Sequence, residues 1–468
     1  MSSSSDVDLS VAVKWLGTCT QSHNLCKVKG VGWANKAPHL PTRVLDLLAT
    51  RGNIRLYESL QEEEPYLCLS HCWGSVTQFT TTLVTLQDRK REILWTDLPP
   101  LFQDAVTIVQ KLGYRYLWID SLCIIQDDPA DWDRESARMW SIYQGAELTI
   151  AATDCPDSSH RIFRDVDLRS SSATTNKLLT RAWFFQERYL SRRVLHFRGK
   201  KGLWWECMQG SQRVGLFFTN SSLRAPNNKD MIAKWRDLTR KDACAVWHKL
   251  IGEYSSMSLT FAKDRLPAIS GLVAEFQSVW NVEYVAGLWR DTLIQDMLWR
   301  YIENPKRRRP PRRAAKAPTW SWGSVDGRCA YPDNPAFEPE ATVLEVQLPN
   351  LAKIDADRRA RGCITLRVKV LSGKLGYGQD PEGRTAVVIR DKLLGFTADY
   401  PIWDAGDEYI SPGVALYVLR LVKGVDRHRN LVVRCVDEQN QLYERIGITS
   451  RFRDWVQFPT EMQELHLI

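Results

Sequence analysis

The stretch YLWIDSLCIIQDDPADWDRESARMWSIYQGAELTIAA, residues 116–152, contains the pattern from which we infer the fold. A short apolar run is followed by an acidic loop, a segment with apolar residues at helical spacing and a second apolar run, which predicts strand, helix and strand. Asp128, followed by proline, predicts the N-cap of the helix. Glu135 is unusual because it lies three residues after Trp132 and four before Met139, within the stripe that should be apolar.

The same alternation of elements extends upstream of this stretch. Residues 66–70, YLCLS, form the continuous apolar run that a strand buried on both faces requires. Residues 98–113, LPPLFQDAVTIVQKLG, have apolar side chains at helical spacing and end in glycine. We therefore predict an α/β fold class, with a parallel sheet and helices packed on its faces.

The remaining sequence divides the chain into five predicted parts. The α/β domain takes residues 61–225, and residues 1–60 are predicted to form an N-terminal cap region. Residues 226–305 have a mainly helical pattern, and residues 306–317 form a basic linker. Residues 318–468 contain runs such as CITLRVKVL and predict a β-rich C-terminal lobe.

Composition and charge restrict the class of protein. No apolar run is long enough to cross a bilayer, and the N-terminus lacks a secretory pattern, so we predict no membrane contact. The eleven cysteines predict reduced thiols in a cytoplasmic protein. Of the net charge of +8, seven positive charges lie in residues 306–316, KRRRPPRRAAK. We interpret this run as a solvated linker, with a nuclear signal as the alternative; no other nucleic-acid motif accompanies it.

Three further patterns bear on metals, cofactors and thiol chemistry. Cys19, His23 and Cys26 have spacings that could begin a metal site, but no second ligand pair follows. We therefore predict a structural cap with free thiols and no metal. No glycine-rich phosphate motif occurs, so we predict no bound cofactor. His71 and Cys72 are adjacent on a strand end, where neighbouring side chains point to opposite sides, and this disfavours a thiol hydrolase.

Three blocks resemble the fungal heterokaryon-incompatibility (HET) domain and occur in the expected order. They are YLCLSHCWG (residues 66–74), the stretch 116–152 and RAWFFQERYLSRRVLHF (residues 181–197). WLGTCTQSHNLC (residues 15–26) and APTWSWGSVDG (residues 317–327) resemble flanking parts of full-length members. The resemblance implies a role in fungal non-self recognition and programmed cell death. It also implies a fold distantly similar to the TIR domain, a flavodoxin-like sheet with helices on both faces.

The resemblance also implies a chemistry. Some TIR domains are NADases, which cleave the nicotinamide–ribose bond with one glutamate on a helix just after a tryptophan. Glu135, after Trp132, is the corresponding catalytic candidate, although the spacing is one residue shorter than in TIR enzymes. A carboxylate suits this task because it stabilises a cationic sugar, and open α/β sheets form clefts at their strand ends. The residues expected to bind the nucleotide are Ser70, His71, Trp73, Asp120 and Trp132.

Each candidate also has a structural interpretation. A buried charge needs a partner, and Glu135 could form an ion pair with Arg181 or Arg188. Trp73 could pack in the core, and Asp120 could cap the loop that follows its strand.

Two functions from different classes follow. In the first, the chain is a cell-death effector whose TIR-like domain hydrolyses NAD or a related nucleotide, and assembly into a homo-oligomer completes the site. In the second, it is a non-catalytic signalling and interaction module that works with a separate non-self recognition partner.

Gln186 and Glu187 of the third block either reach the predicted cleft or form a salt bridge on their helix.

Overall fold

The structure is a computed structural model. It describes residues 9–27, 39–48, 53–74, 79–163, 177–198, 202–214, 229, 234–302, 317–332, 338–348, 362–379, 385–402, 409–423, 430–449 and 456–468. The predicted basic linker, residues 306–317, lies outside the described residues except for its last residue.

The chain forms two compact units. The first unit consists of Met1–Asp237 and Ala268–Val279, and the second consists of Leu238–Pro267 and Trp280–Ile468. The first unit contains the predicted α/β domain, and the second contains the predicted β-rich lobe. Among the described residues, no helix has the length and apolar character needed to span a bilayer.

Eight strands form one sheet in the first unit. They are β1 (Arg43–Asp46), β2 (Arg55–Glu58), β3 (Tyr66–Ser70), β4 (Tyr116–Ile119), β5 (Leu148–Ala151), β6 (Arg193–Phe197), β7 (Leu203–Cys207) and β8 (Gly210–Val214). Their spatial order is β2-β1-β4-β3-β5-β6-β7-β8. The central strands β4, β3, β5 and β6 run parallel, whereas the outer strands on both sides are antiparallel to their neighbours. The predicted α/β class with parallel strands is confirmed, and β1 and β2, which come from the predicted cap, extend its sheet.

Among the described residues, helices precede β1, separate β3, β4, β5 and β6 from one another, and follow β8. They are α1 (Ser10–Ser22), α2 (Asn24–Lys27), α3 (Leu86–Arg91), α4 (Pro100–Lys111), α5 (Asp120–Cys123), α6 (Pro129–Ser136), α7 (Met139–Gly145), α8 (Ala182–Leu190), α9 (Arg240–Tyr254), α10 (Ser270–Trp280) and α11 (Leu293–Asp296). The predicted helix over residues 98–113 is confirmed as α4, and Gly113 follows it with a φ of +80°, which favours glycine.

The helix that contains Glu135 differs from the expectation. Asp128 is its N-cap as predicted, because Oδ1 accepts hydrogen bonds of 3.0 and 3.3 Å from two backbone amides of the first turn. However, α6 ends at Ser136 and a separate helix, α7, begins at Met139. Glu135 therefore lies in the last turn of a short helix, and the single stripe that continued to Met139 does not form.

The parallel strands position the carboxyl ends on which the site depends. Every residue of β3, β4, β5 and β6 is buried, and for β3, β4 and β5 this agrees with their apolar runs. From β3 the chain passes to β4 on one side and then to β5 on the other, so the direction of winding reverses between β3 and β5. In open α/β sheets, the crevice beyond the carboxyl ends at such a reversal is where ligands bind. Ser70 ends β3 at this point.

Among the described residues, the second unit contains α9, α11 and the remaining strands. The strands are β9 (Tyr284–Val285), β10 (Leu288–Trp289), β11 (Arg300–Tyr301), β12 (Cys329–Ala330), β13 (Glu338–Pro339), β14 (Thr342–Gln347), β15 (Cys363–Gln379), β16 (Thr385–Ile389), β17 (Lys392–Ala398), β18 (Ala415–Arg420), β19 (Val422–Lys423), β20 (Asn430–Asp437), β21 (Leu442–Thr449) and β22 (Gln463–Leu467). Strands β15, β16, β17, β21, β20 and β18 pair in that order, and β18 pairs again with β15. The predicted β-rich lobe is therefore confirmed.

Candidate functional site

A buried hydrogen bond joins the end of β3 to helix α8. The hydroxyl of Ser70 donates to Oε2 of Glu187, and both residues are buried. Tyr143 on α7 lies close enough to this carboxyl group to favour its ionised form, and its hydroxyl donates to the backbone carbonyl of Leu69 at 3.4 Å. Strand β3 and helices α7 and α8, which are distant in sequence, thus meet around one carboxyl group at the end of the central strand. We refer to the residues that gather here as the strand-end cluster: Ser70, His71, Trp73, Asp120, Ser121 and Glu187.

Burial changes the protonation of this carboxyl group. Loss of hydration raises the pKa of Glu187 to about 7. The positive charge of Arg181 and the hydrogen bond from Ser70 oppose the rise in pKa, whereas the negative charge of Asp120 adds to it. A carboxyl group with a pKa near neutrality can be either protonated or ionised under working conditions, which is common in catalytic sites.

Asp120 joins the loops that follow β3 and β4. Its Oδ2 accepts a hydrogen bond of 2.8 Å from Nε1 of Trp73, and its Oδ1 accepts one of 2.7 Å from the amide of Ser121. Asp120 therefore bonds to the amide next to it without capping α5, whose N-cap is Ile119, and it also fixes the indole of Trp73. Its carboxylate is partly exposed, so this part of the cluster is open to solvent.

His71 and Ser121 add buried polar atoms to the cluster. Nδ1 of His71 lies 3.7 Å from Oδ1 of Asp120, beyond hydrogen-bond distance. Burial lowers the pKa of His71, so the ring is neutral. Among the described residues, neither ring nitrogen of His71 nor Oγ of Ser121 has a hydrogen-bond partner. These are atoms with which a bound water or ligand can pair.

Glu135 lies in a different group of charges. It is 1% exposed, and its Oε1 accepts hydrogen bonds of 2.9 Å from Oγ1 of Thr42 and 3.3 Å from Nε of Arg134. Arg134 also forms an ion pair with Asp131, which in turn pairs with Arg43. Glu135 is thus buried and ion-paired, but its partner is its sequence neighbour Arg134, whose side chain is 52% exposed.

The arginines that were expected to pair with Glu135 have other contacts. Arg181 donates to the backbone carbonyl of the residue that follows β3, and Arg188 forms a 2.6 Å ion pair with Glu206. Trp132 is 37% exposed, so its ring does not accompany Glu135 into the interior. Among the described residues, the Trp132 side chain forms no hydrogen bond to the other predicted binding residues.

The family comparison covers the part of the chain that carries most of this cluster. The family model described as heterokaryon incompatibility protein (HET) matches residues 66–176. This chain carries a HET domain. The HET match runs from the start of β3 past the end of β5 and associates the chain with heterokaryon incompatibility. No curated protein and no solved structure matches the chain.

The HET domain therefore contributes Ser70, His71, Trp73 and Asp120 to the cluster, whereas Glu187 follows the matched residues. The sequence pattern favours Glu135 as the catalytic candidate, whereas for Glu187 it indicates either a position near the cleft or a salt bridge on its helix. The sequence does indicate that Glu187 is unusual, because it lies among aromatic neighbours in AWFFQERYL. In the structure, seven of the nine residues of this helix are buried.

Proposed function

We propose that this HET-domain protein hydrolyses the nicotinamide–ribose bond of NAD or of a related nucleotide, as a cell-death effector in heterokaryon incompatibility. The site is the strand-end cluster, with Glu187 as the catalytic carboxylate. The observation that carries the proposal is the buried Glu187 carboxyl group, with its pKa raised to about 7, held by Ser70 at the carboxyl end of β3.

In this reaction, the main task of the protein is to stabilise the positive charge that develops on the ribose. The bond between ribose C1′ and the nicotinamide nitrogen breaks, and its electron pair goes to the leaving nicotinamide. Water then adds to the resulting oxocarbenium ion and releases one proton to the solvent. A carboxylate near the ribose stabilises that positive charge. The nicotinamide ring of NAD is itself cationic, so its arrival lowers the pKa of a nearby buried carboxyl group and favours the ionised form of Glu187.

The other members of the cluster have roles that fit this reaction. Trp73, fixed by Asp120, offers an aromatic face for a ring of the nucleotide. Asp120 is exposed enough to accept a hydrogen bond from a ribose hydroxyl group. The free polar atoms of His71 and Ser121 provide further pairing positions within the same cluster.

Two features support a TIR-like arrangement. Along the chain, the four parallel strands have the spatial order second, first, third, fourth, which is the order of the first four strands in a flavodoxin-like sheet. In addition, Trp183 precedes Glu187 by four residues on α8. That spacing is the one expected from TIR enzymes, and the pair Trp132 and Glu135 falls one residue short of it. As in those enzymes, we propose that self-association completes the site.

A non-catalytic interaction module is the second candidate. The observation in its favour is that Glu187 is 6% exposed, so a nucleotide can reach it only if neighbouring side chains move. In this case, the HET domain would act by contacting a separate recognition protein, and Glu187 would serve to hold α8 against β3.

Measurement of nicotinamide release distinguishes these functions. Purified full-length chain at high protein concentration is incubated with NAD, and nicotinamide is measured by chromatography. We expect release by the wild type and a fall of about 100-fold or more in Glu187→Gln, the order of loss when a charge-stabilising group is removed. Glu63→Gln, at an exposed glutamate of the same unit, is the control and should retain full activity.

Glu135→Gln decides between the two acidic candidates. Our assignment predicts that it retains activity in preparations whose circular dichroism matches the wild type. Loss of turnover in Glu135→Gln together with full turnover in Glu187→Gln would identify Glu135 as the catalytic residue. No turnover by the wild type, with cell death intact in Glu187→Gln, would favour the interaction module.

A further inference from the structure

Four metal-binding side chains converge at one place in the first unit. Cys19 lies in the last turn of α1, His23 follows that helix directly, Cys26 lies on α2, and Cys207 is the last residue of β7. One ligand atom of each residue lies within 4.8 Å of those of the other three. The imidazole Nδ1 of His23 is 3.3 Å from Sγ of Cys207.

These separations agree with a common central ion. In a tetrahedral site with Zn–S bonds of about 2.3 Å and a Zn–N bond of about 2.0 Å, ligand atoms lie roughly 3.5–3.8 Å apart. A Cys₃His set is one of the ligand combinations found in structural zinc sites, where all four positions are filled by protein. Tetrahedral sulfur and nitrogen donors favour Zn²⁺ over the hard cations, which prefer oxygen.

The surroundings suit thiolate ligands. Nε of Arg193, which is buried, donates a hydrogen bond of 3.2 Å to Sγ of Cys19, and the backbone amide of Gln209 donates to Sγ of Cys207. Such contacts orient metal-bound thiolates and offset their negative charge. The three cysteines are buried and are not joined by disulfides, so each can supply a thiolate ligand.

We infer that Cys19, His23, Cys26 and Cys207 bind one Zn²⁺ ion in a structural site. The ion connects α1 and α2 to the end of β7, beside the packing of Trp15 against Trp205, whose ring centroids are 6.4 Å apart. The sequence predicted free thiols here because the fourth ligand is distant along the chain and forms no local pair with the other three. This inference does not depend on the proposed enzymatic activity.

Metal analysis of the purified chain tests the inference directly. Protein prepared without chelators should contain about one zinc ion per chain, as a closed four-ligand site requires. Cys207→Ser should lose most of this zinc. Cys435→Ser changes a partly exposed thiol outside the cluster and should retain it. The wild-type value decides the question even if Cys207→Ser does not fold.

Two measurements on the wild type test the ligands themselves. Replacement of zinc by Co²⁺ should produce the strong thiolate-to-cobalt absorption and the visible bands of a tetrahedral site. Titration of the denatured, metal-free chain should find all eleven thiols. Absence of stoichiometric zinc after purification with zinc in the buffers would overturn the inference, and loss of two thiols in the titration would identify a disulfide in its place.

Discussion

Replacing Glu187 with glutamine is expected to stabilise the first unit at pH 8 and to have a much smaller effect at pH 5. Burial raises the pKa of this carboxyl group from 4.5 to about 7 in the folded protein. Between these values the unfolded chain ionises while the folded chain holds its proton, so stability falls as the pH rises through this window. The full difference is about 3 kcal/mol above pH 7, and glutamine does not incur it.

Differential scanning calorimetry at several pH values measures this effect. The unfolding midpoint of Glu187→Gln should exceed that of the wild type increasingly from pH 5 to pH 7 and by a constant amount above it. Glu63→Gln should follow the wild type throughout, because its side chain is exposed. An equal gain for Glu187→Gln at pH 5 and pH 8 would show that titration of this group is not the cause. A group that lowers stability where it is ionised is typical of a residue retained for function.

Replacing Arg445 with methionine is expected to destabilise the second unit by about 3–5 kcal/mol, the usual cost of leaving one partner of a buried ion pair unpaired. Nε and Nη2 of Arg445 donate to the two carboxylate oxygens of Asp399 at 2.7 and 3.2 Å. The same guanidinium also donates to the backbone carbonyls of Met297 and Trp299 at 2.6 and 2.5 Å. Its removal leaves a buried carboxylate and two carbonyl groups without their donor.

Urea unfolding followed by tryptophan fluorescence measures this loss, since the guanidinium of Arg445 lies 3.5 Å from the ring centroid of Trp299. Arg290→Met removes an ion pair of 2.9 Å whose side chains are 49% and 44% exposed, and should cost no more than about 1 kcal/mol. The double variant Arg445→Met with Asp399→Leu should recover only part of the loss, because the two carbonyl groups remain unpaired. Equal shifts for Arg445→Met and Arg290→Met would contradict this account.

The local elements of the fold were predictable because their causes are local. The apolar runs of β3, β4 and β5 require burial on both faces, and Asp128 followed by proline determines where α6 begins. The end of α6 was not predictable, because no glycine or proline follows Ser136 and the periodicity continues to Met139. The contact of Glu135 with Thr42, on a distant segment, is not encoded in that periodicity.

Part of the candidate site was predictable, namely the residues whose positions follow directly from the strands. Ser70 is the last residue of β3 and Asp120 directly follows β4, so a parallel sheet alone brings them to one edge. The identity of the acidic residue depends on how α8 docks, and only the structure shows that Glu187 reaches Ser70. The place of Cys207 beside Cys19 likewise depends on the pairing of β7 in the sheet, which spacing along the chain does not reveal.

The most direct test of the proposed site is a crystal structure of Glu187→Gln, chosen because it should bind without turnover, with NAD at saturating concentration. We predict that the nucleotide lies beyond the carboxyl ends of β3 and β5, with its nicotinamide ribose within hydrogen-bond distance of the side chain at position 187 and a ring against Trp73. Nucleotide bound beside Glu135 and away from Ser70, or none at the strand ends at that concentration, would contradict the assignment.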